Sequence, residues 1–257
     1  MSAAHTLSFT PLLGLPEIEA GADLAQMIVA ALSAQALSLA AHDVLVVAQK
    51  IVSKAEGRTV VLDEISPSEE ARRLAALTAK DPRLIELILA ESQEVVRAAP
   101  NVLIVRHRLG HVMANAGVDR SNVPRAGERE QVLLLPLDPD RSAAQLLQRL
   151  QRIVQPLGVI ISDSFGRPWR RGVTNVAIGA AGFPALLDRR GERDRNDRAL
   201  QITEVALADA VAAGAGVAMG EGAESTPVVL LRGLDLGIAA ERNARALLRP
   251  LAEDLFR

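Results

Sequence analysis

The chain has no cysteine, which excludes a disulfide framework, a thiolate metal site and a cysteine nucleophile together. It has no tyrosine, one tryptophan and four phenylalanines. Its core therefore falls to Leu, Val, Ile and Ala, and a stacking platform for single-stranded nucleic acid is excluded. Neither sign of charge is in excess. Against 29 Lys and Arg stand 31 Asp and Glu, a net charge of −2, whereas a protein that grips a nucleic-acid backbone carries a clear basic surplus. No uncharged apolar run reaches about 18 residues, so no membrane span is expected. The longest candidate, Met27 to Ala41, is broken by Ser33, Gln35 and Ser38. The opening residues, Met1 to Thr6, lack the basic and apolar segments of a secretory signal. These absences lead us to expect a cytoplasmic protein. Also missing are a phosphate-binding G-x-x-x-x-G-K-[ST] loop, a G-x-G-x-x-G after a strand, an H-E-x-x-H and a G-x-S-x-G. The standard nucleotide-binding and hydrolase templates therefore fail.

What is present is an ordinary globular composition, 49% hydrophobic and 23% charged over 257 residues. At about 150 residues per domain this makes one large domain or two small ones. Short apolar runs suited to buried strands occur at 44–48, 102–105, 132–135, 159–161 and 228–231. Helical periodicity fits 22–40, 68–79, 83–98, 142–154, 198–213 and 238–252. Two helix starts are well marked. Ser66-Pro67-Ser68-Glu69 reads as cap, first-turn proline and capping-box glutamate, and Asp81-Pro82 repeats the pattern. The mixture is α+β, without a clean βαβαβ series. Leu135 to Asp140, with two prolines in four residues, is the best boundary, giving an N-terminal lobe over 1–137 and a C-terminal lobe over 138–257. The segment from Asp188 to Arg198 holds five arginines and four acids and reads as a solvated loop.

Polar residues gather in a few places. Gly14-Leu15-Pro16-Glu17 is a turn. Gln49 to Arg58 follows the 44–48 strand and carries Lys50 and Lys54. Two lysines at a strand's carboxyl end can neutralise phosphate oxygens as point charges, and an exposed, solubilising turn is an equal reading. His111 to Asn122 compresses Asn115, Asp119, Arg120, Ser121 and Asn122. At the end of the 159–161 strand, Asp163 and Ser164 form a hard-cation ligand pair. Arg167, Arg170 and Arg171 follow, able to hold carboxylate or phosphate bidentately. Met219 to Pro227 has two glycines that free the backbone to approach an anion, and Glu221 as a further metal ligand. His107 and His111 sit four apart without a third donor, which disfavours zinc.

Taken in order, several of these stretches resemble one family, the coenzyme F420-0:γ-glutamyl ligases. They are Val46 to Gly57, Ala114 to Asn122, Ser162 to Gly172, Asn175 to Gly179 and Met219 to Glu224. The resemblance implies two mixed α/β lobes, neither Rossmann nor P-loop, in an intertwined homodimer with the nucleotide in a groove between subunits. It implies a GTP-dependent ligase that adds L-glutamate to a deazaflavin precursor through an acyl phosphate and can extend a γ-linked polyglutamate tail. By position, it assigns nucleotide binding to Pro16, Glu17, Ile18, Glu19, Gln49, Lys50, Lys54, Asn122, Met219, Gly220, Glu221, Gly222, Ala223, Glu224, Ser225 and Thr226. Two divalent ions, Mg²⁺ or Mn²⁺, would fall on Asp119 with Asp163 and on Ser164 with Glu221, and K⁺ is a further candidate ion. Lys54, Arg167 and Arg170 are the candidate catalytic cations.

Two departures stand out. Ser164 replaces a frequent threonine but keeps the hydroxyl, and Asp197-Arg198 stands where a Gly-Arg pair is expected. The length implies the form without a C-terminal flavin-binding domain. A related ligase acting on another acid acceptor is the competing enzyme reading, and a non-catalytic nucleotide-binding regulator is the competing class. Retention of Asp119, Asp163 and Glu221 weighs against the regulator, because binding alone does not require three metal carboxylates.

Overall fold

The structure is a computed structural model that describes residues 6–120, 129–154, 157–234 and 243–254. The chain opens with β1 (Ser8–Pro11) and α1 (Leu24–Ala34), the helix capped by Asp23, which accepts the Gln26 N–H at 3.2 Å. The apolar run Val44–Ala48 forms β2 and passes without a loop into α2 (Gln49–Ala55). Then come β3 (Thr59–Val61), α3 (Glu69–Thr78) and α4 (Pro82–Ala90), followed by β4 (Ser92–Ala99), β5 (Val102–His107), β6 (Val112–Ala114) and β7 (Gln131–Leu133). The rest of the chain supplies α5 (Pro139–Leu150), a long hairpin of β8 (Gly158–Arg167) and β9 (Arg170–Ala181), short β10 (Leu186–Asp188) and β11 (Glu204–Ala206), α6 (Leu207–Met219) and β12 (Val228–Arg232).

The principal sheet has the order β1-β12-β2-β8-β9. Every neighbouring pair in it is antiparallel except β2 and β8, which run parallel with Val44 opposite Gly158 and Ala48 opposite Ser162. Alternation along the strands feeds two cores. Leu45, Val47, Val159 and Ile161 face α1 and α5, while Val44, Val46 and Ile160 face α6. Both faces are covered, which is why the strands read as unbroken apolar runs. The sheet takes β1 and β2 from before residue 137 and the other three strands from after it, so the lobes interleave. A third core, with α3 and α4 against β5 and β7, fills residues 62–134. Among the described residues no helix is long and apolar enough to cross a membrane.

The lobe is tied to the main sheet through Glu91, directly after α4. Its carboxylate accepts from Arg58 and Arg108, each at 2.9 Å, and lies 3.4 Å from Nε2 of the fully buried His107. The same arginines donate to the carbonyls of Leu135 (2.9 Å) and Leu137 (3.0 Å), ahead of α5. Burial alone would push the Glu91 carboxyl up. The contacts from His107, Arg58 and Arg108 override this and hold it near 2.

Several local expectations need correction. Gln49 to Ala55 is a helix, not a turn. Ser68, not Ser66, caps α3, accepting the Ala71 N–H at 3.2 Å, and the glutamate completing the cap is Glu86 of α4 rather than Glu69. The helix expected over 83–98 stops at Ala90, and its second half is the largely exposed strand β4. The prolines of 135–140 open α5, with Asp138 as its cap and Pro139 at the first position. The helix expected over 198–213 is displaced to α6. Its two glycines permit close packing: a Cβ would stand 2.5 Å from Phe9 at Gly214 and 2.4 Å from Asn175 at Gly216. Of the 238–252 helix, residues 238–242 lie outside the described residues, and short turns occupy Ala244–Leu247 and Leu251–Glu253.

Glu91→Gln leaves two buried arginines without their countercharge and should lower unfolding free energy by roughly 3 kcal/mol in urea at pH 7. Because the native carboxyl lies below its ordinary 4.5, its contribution is complete above that value and disappears as pH falls towards 2. The parent should lose about 3 kcal/mol through that window on this account, and the variant should lack this component.

Candidate functional site

Parallel β2 and β8 end side by side, and β8 continues past Ala48, where β2 turns into α2. A cleft of about 580 Å³ opens there, in the position where open sheets with parallel strands present their ligands. Its walls come from five separated segments: Leu15 to Ile18, Ala48 to Lys54, Ser162 to Ser164, Asn175, and Met219 to Pro227.

Asp163 is the buried charge of this cleft. Its Oδ1 accepts the Ser164 N–H at 2.9 Å, yet its carboxyl is pushed up to about 7. Burial is the main cause, with Asp119 and Glu221 adding repulsion that Lys50 only partly offsets. Beside it, the Ser164 hydroxyl donates to Glu221 Oε2 at 2.9 Å. Lys50 pairs with Asp119 at 2.7 Å, and Lys54 pairs with Glu17. The Lys54 side chain is only 12% exposed, which rejects the solvated-turn reading.

Asp119 reaches the cleft from the other lobe. Reciprocal backbone bonds with Leu133 (2.9 and 2.8 Å) hold it, after three successive left-handed residues, Asn115, Ala116 and Gly117. Such backbone at non-glycine residues costs of order 1 kcal/mol each and persists only where packing dictates it. His111 adds a lobe contact, standing edge-on to Phe165 of β8 with ring centres 6.2 Å apart. Burial, with His107 nearby, holds its imidazole down to about 4.

The loop after α6 is a built turn. Thr226 donates its hydroxyl to the Met219 carbonyl at 2.8 Å, and Glu224 accepts the Gly222 N–H at 2.7 Å. Gly220 has φ +72, and a Cβ there would lie 2.2 Å from the Glu224 carboxyl carbon.

Of the expected nucleotide residues, Pro16, Glu17, Ile18, Gln49, Lys50, Lys54 and all of 219–226 line the cleft. Glu19 is exposed outside it, and Asn122 lies outside the described residues. Asp163, Ser164 and Glu221 are on the wall, with Asp119 joined through Lys50. Arg167 and Arg170 are exposed on the hairpin beyond the cleft. Sequence reasoning missed Ser162 and Asn175. Ser162 is buried with no hydrogen-bond partner for its hydroxyl. Asn175 stands opposite Ser164 in the β8–β9 register, and its amide contacts the Met219 sulfur at 3.9 Å. The i, i+2 spacing of Ser162 and Ser164 carried a signal for the first. Only strand register reveals the second.

Fold and site together define an α+β protein whose acidic, oxygen-lined cleft, flanked by two lysines, is suited to cations and to anions that arrive with them. The family model for F420-0:gamma-glutamyl ligase matches residues 13–233. Proteins called coenzyme F420:L-glutamate ligase are similar along the chain. That of Methanopyrus kandleri is 46% identical over 261 positions covering both chains fully, and that of Methanothermobacter thermautotrophicus is 44% identical over 95% of this chain and 96% of its own. A Halobacterium salinarum relative of the same name is 44% identical over 87% of this chain and 86% of its own. The chain belongs to the F420-0:γ-glutamyl ligase family.

Asp163 yields a test free of any assay. Since burial holds its carboxyl above the ordinary 3.8, the metal-free protein loses stability as pH rises through about 7. In EDTA, Asp163→Asn should therefore gain roughly 2–4 kcal/mol on the parent between pH 5 and pH 8 by chemical denaturation. A constant difference across that range would contradict the burial assigned to this carboxylate.

Proposed function

We propose that the chain is a GTP-dependent ligase that joins the amine of L-glutamate to the terminal carboxylate of coenzyme F420-0 and can extend a γ-linked tail. One observation carries the reading: segments far apart in sequence, each bearing a family motif, meet around one cleft. That cleft places Glu17, Asp163, Glu221 and Glu224 against Lys50 and Lys54. A triphosphate cannot enter so acidic a space without added positive charge.

The donors fit hard divalent ions. They are all oxygen, and Asp163 is held up by burial and by neighbouring carboxylates, a situation that a cation relieves. Among the described residues no three acidic or imidazole side chains already surround one point. This suits two ions with two protein ligands each, Asp119 with Asp163 and Ser164 with Glu221, completed by phosphate and water. Bound there, Mg²⁺ or Mn²⁺ would neutralise charge on the phosphoryl oxygens, and K⁺ is a further candidate.

Lys54, released from Glu17, holds a phosphate oxygen, and Lys50 exchanges Asp119 for the nucleotide. The built loop from Met219 to Thr226 presents its backbone to the nucleotide. An oxygen of the acceptor carboxylate attacks the γ-phosphorus and GDP leaves, giving an acyl phosphate. The glutamate amine then attacks the acyl carbon, phosphate departs, and the amine proton is lost. Charge develops on oxygen in both steps, so fixed cations matter more than a covalent nucleophile. We further propose a cytoplasmic homodimer with the nucleotide groove between subunits.

Incubating the protein with F420-0, GTP, Mg²⁺ and glutamate should yield a product heavier by one or more glutamyl residues by mass spectrometry. ATP in place of GTP should give less, and an unchanged acceptor would refute the reading. Lys54→Met retains the apolar stem and deletes the charge. It should weaken GTP binding about ten- to a hundredfold by calorimetry, with little change in melting temperature. Equal dissociation constants and equal turnover would remove Lys54 from the site.

A further inference from the structure

Beyond the cleft, β8 and β9 run on as a bare hairpin whose tip is Arg167-Pro168-Trp169-Arg170, with Arg167 opposite Arg170. Three features of this tip are unlike the rest of the molecule. Trp169, the sole tryptophan of the sequence, is 81% exposed, although its large apolar surface favours burial. Its φ is +57, a left-handed backbone that a bulky side chain adopts only against steric strain and that glycine adopts freely. Proline followed by a positive-φ residue is the type II pattern, which matches the twist of a two-residue hairpin poorly. The strain runs against stability and places an indole at the tip.

The third feature is charge. Elsewhere arginines are matched to carboxylates, as in Arg58–Glu91, Arg83–Asp81, Arg190–Asp188 and Arg232–Asp43. Among the described residues, Arg167, Arg170 and Arg171 form no ion pair. The hairpin thus offers an aromatic face beside three uncompensated guanidinium groups, on the strand that carries Asp163 and Ser164. The tip begins four residues past Asp163, which at about 3.3 Å per residue sets it roughly 15 Å away.

We propose that Trp169 is the stacking surface for the deazaflavin ring of the acceptor, with Arg167, Arg170 and Arg171 along its anionic chain and the reacting carboxylate at Asp163. This rests on the ligase reading and adds to it a place for the end of the substrate that does not react. A planar ring satisfies the indole face, and anionic groups satisfy the arginines. An elongated acceptor with ring and carboxylate roughly 15 Å apart spans hairpin tip and cleft.

The test compares the parent with Trp169→Gly and Trp169→Phe. In steady-state ligation, Trp169→Gly should raise the KM for F420-0 about tenfold, the scale of one aromatic stacking contact. The KM values for GTP and glutamate should hold, and Trp169→Phe should restore most of the loss. Because glycine relaxes the turn, the melting temperature of Trp169→Gly should equal or exceed the parent's, whereas a merely structural indole would lower it. A second arm titrates the proteins into the free deazaflavin nucleoside, which has the ring but neither phosphate nor carboxylate, and reads the ligand's fluorescence anisotropy. Parental binding should weaken about tenfold in Trp169→Gly. An unchanged KM for F420-0 with equal nucleoside binding overturns the proposal. So does a common rise in all three KM values with loss of the dimer by sedimentation, which would make the tip a subunit contact. If the parent adds no glutamate at all, the ligase reading fails, and the nucleoside arm still decides whether the tip binds the ring.

Discussion

Parallel pairing of β2 with β8 sets where everything else can stand. The two strands run the same way and lie hydrogen-bonded side by side, so their carboxyl ends meet at one edge of the sheet. Antiparallel neighbours would have sent those ends to opposite edges. Ala48 turns straight into α2 opposite Ser162, leaving β8 to continue without that neighbour. The step between them is the floor of the cleft. It places the lysines of α2 across from Asp163 and Ser164, and the loop joining α6 to β12 closes over it because β12 lies on the far side of β2. The lobe of 62–134 contributes through Asp119, so its attachment at Glu91 also positions a charge at the site.

Two kinds of charge pairing divide the labour. Around Glu91 the cations are arginines, whose planar forks bind a carboxylate and backbone carbonyls together and are built to stay. In the cleft the cations are lysines, compact charges on flexible stems, and their carboxylate partners are residues of the site itself. Pairs such as Lys50–Asp119 and Lys54–Glu17 keep the cleft neutral enough to fold. Asp163 lacks a comparable partner, and its raised carboxyl records the deficit. Stability is surrendered at one carboxylate and recovered at another.

Much of this was legible in the sequence because buried strands and cleft motifs are local. The runs at 44–48, 102–105, 159–161 and 228–231 all became strands, and the stretches around Lys50, Asp163 and Glu221 converge. The run at 132–135 is strand only to Leu133. The failures have physical causes. A seven-residue helix such as α2 has too few turns to show periodicity. Largely exposed β4 carries no apolar alternation. Gly214 and Gly216 disguise α6, since their lack of a side chain serves contacts with Phe9 and Asn175 that only the fold reveals. Asn175 belongs to the cleft through its register with Ser164, a relation no motif encodes. Arg167 and Arg170 were grouped with the cleft by proximity in sequence, and the length of the hairpin carries them beyond it.

The poverty of aromatic residues has an optical consequence. With no tyrosine and one tryptophan, nearly all near-ultraviolet absorption and intrinsic emission arise from the hairpin tip. The three aliphatic cores are spectroscopically silent at those wavelengths. Emission followed during denaturation therefore records what happens around one exposed indole, whose surroundings are already largely water. Global unfolding of this chain has to be followed by backbone circular dichroism or calorimetry, and the fluorescence channel is left to report on a single loop.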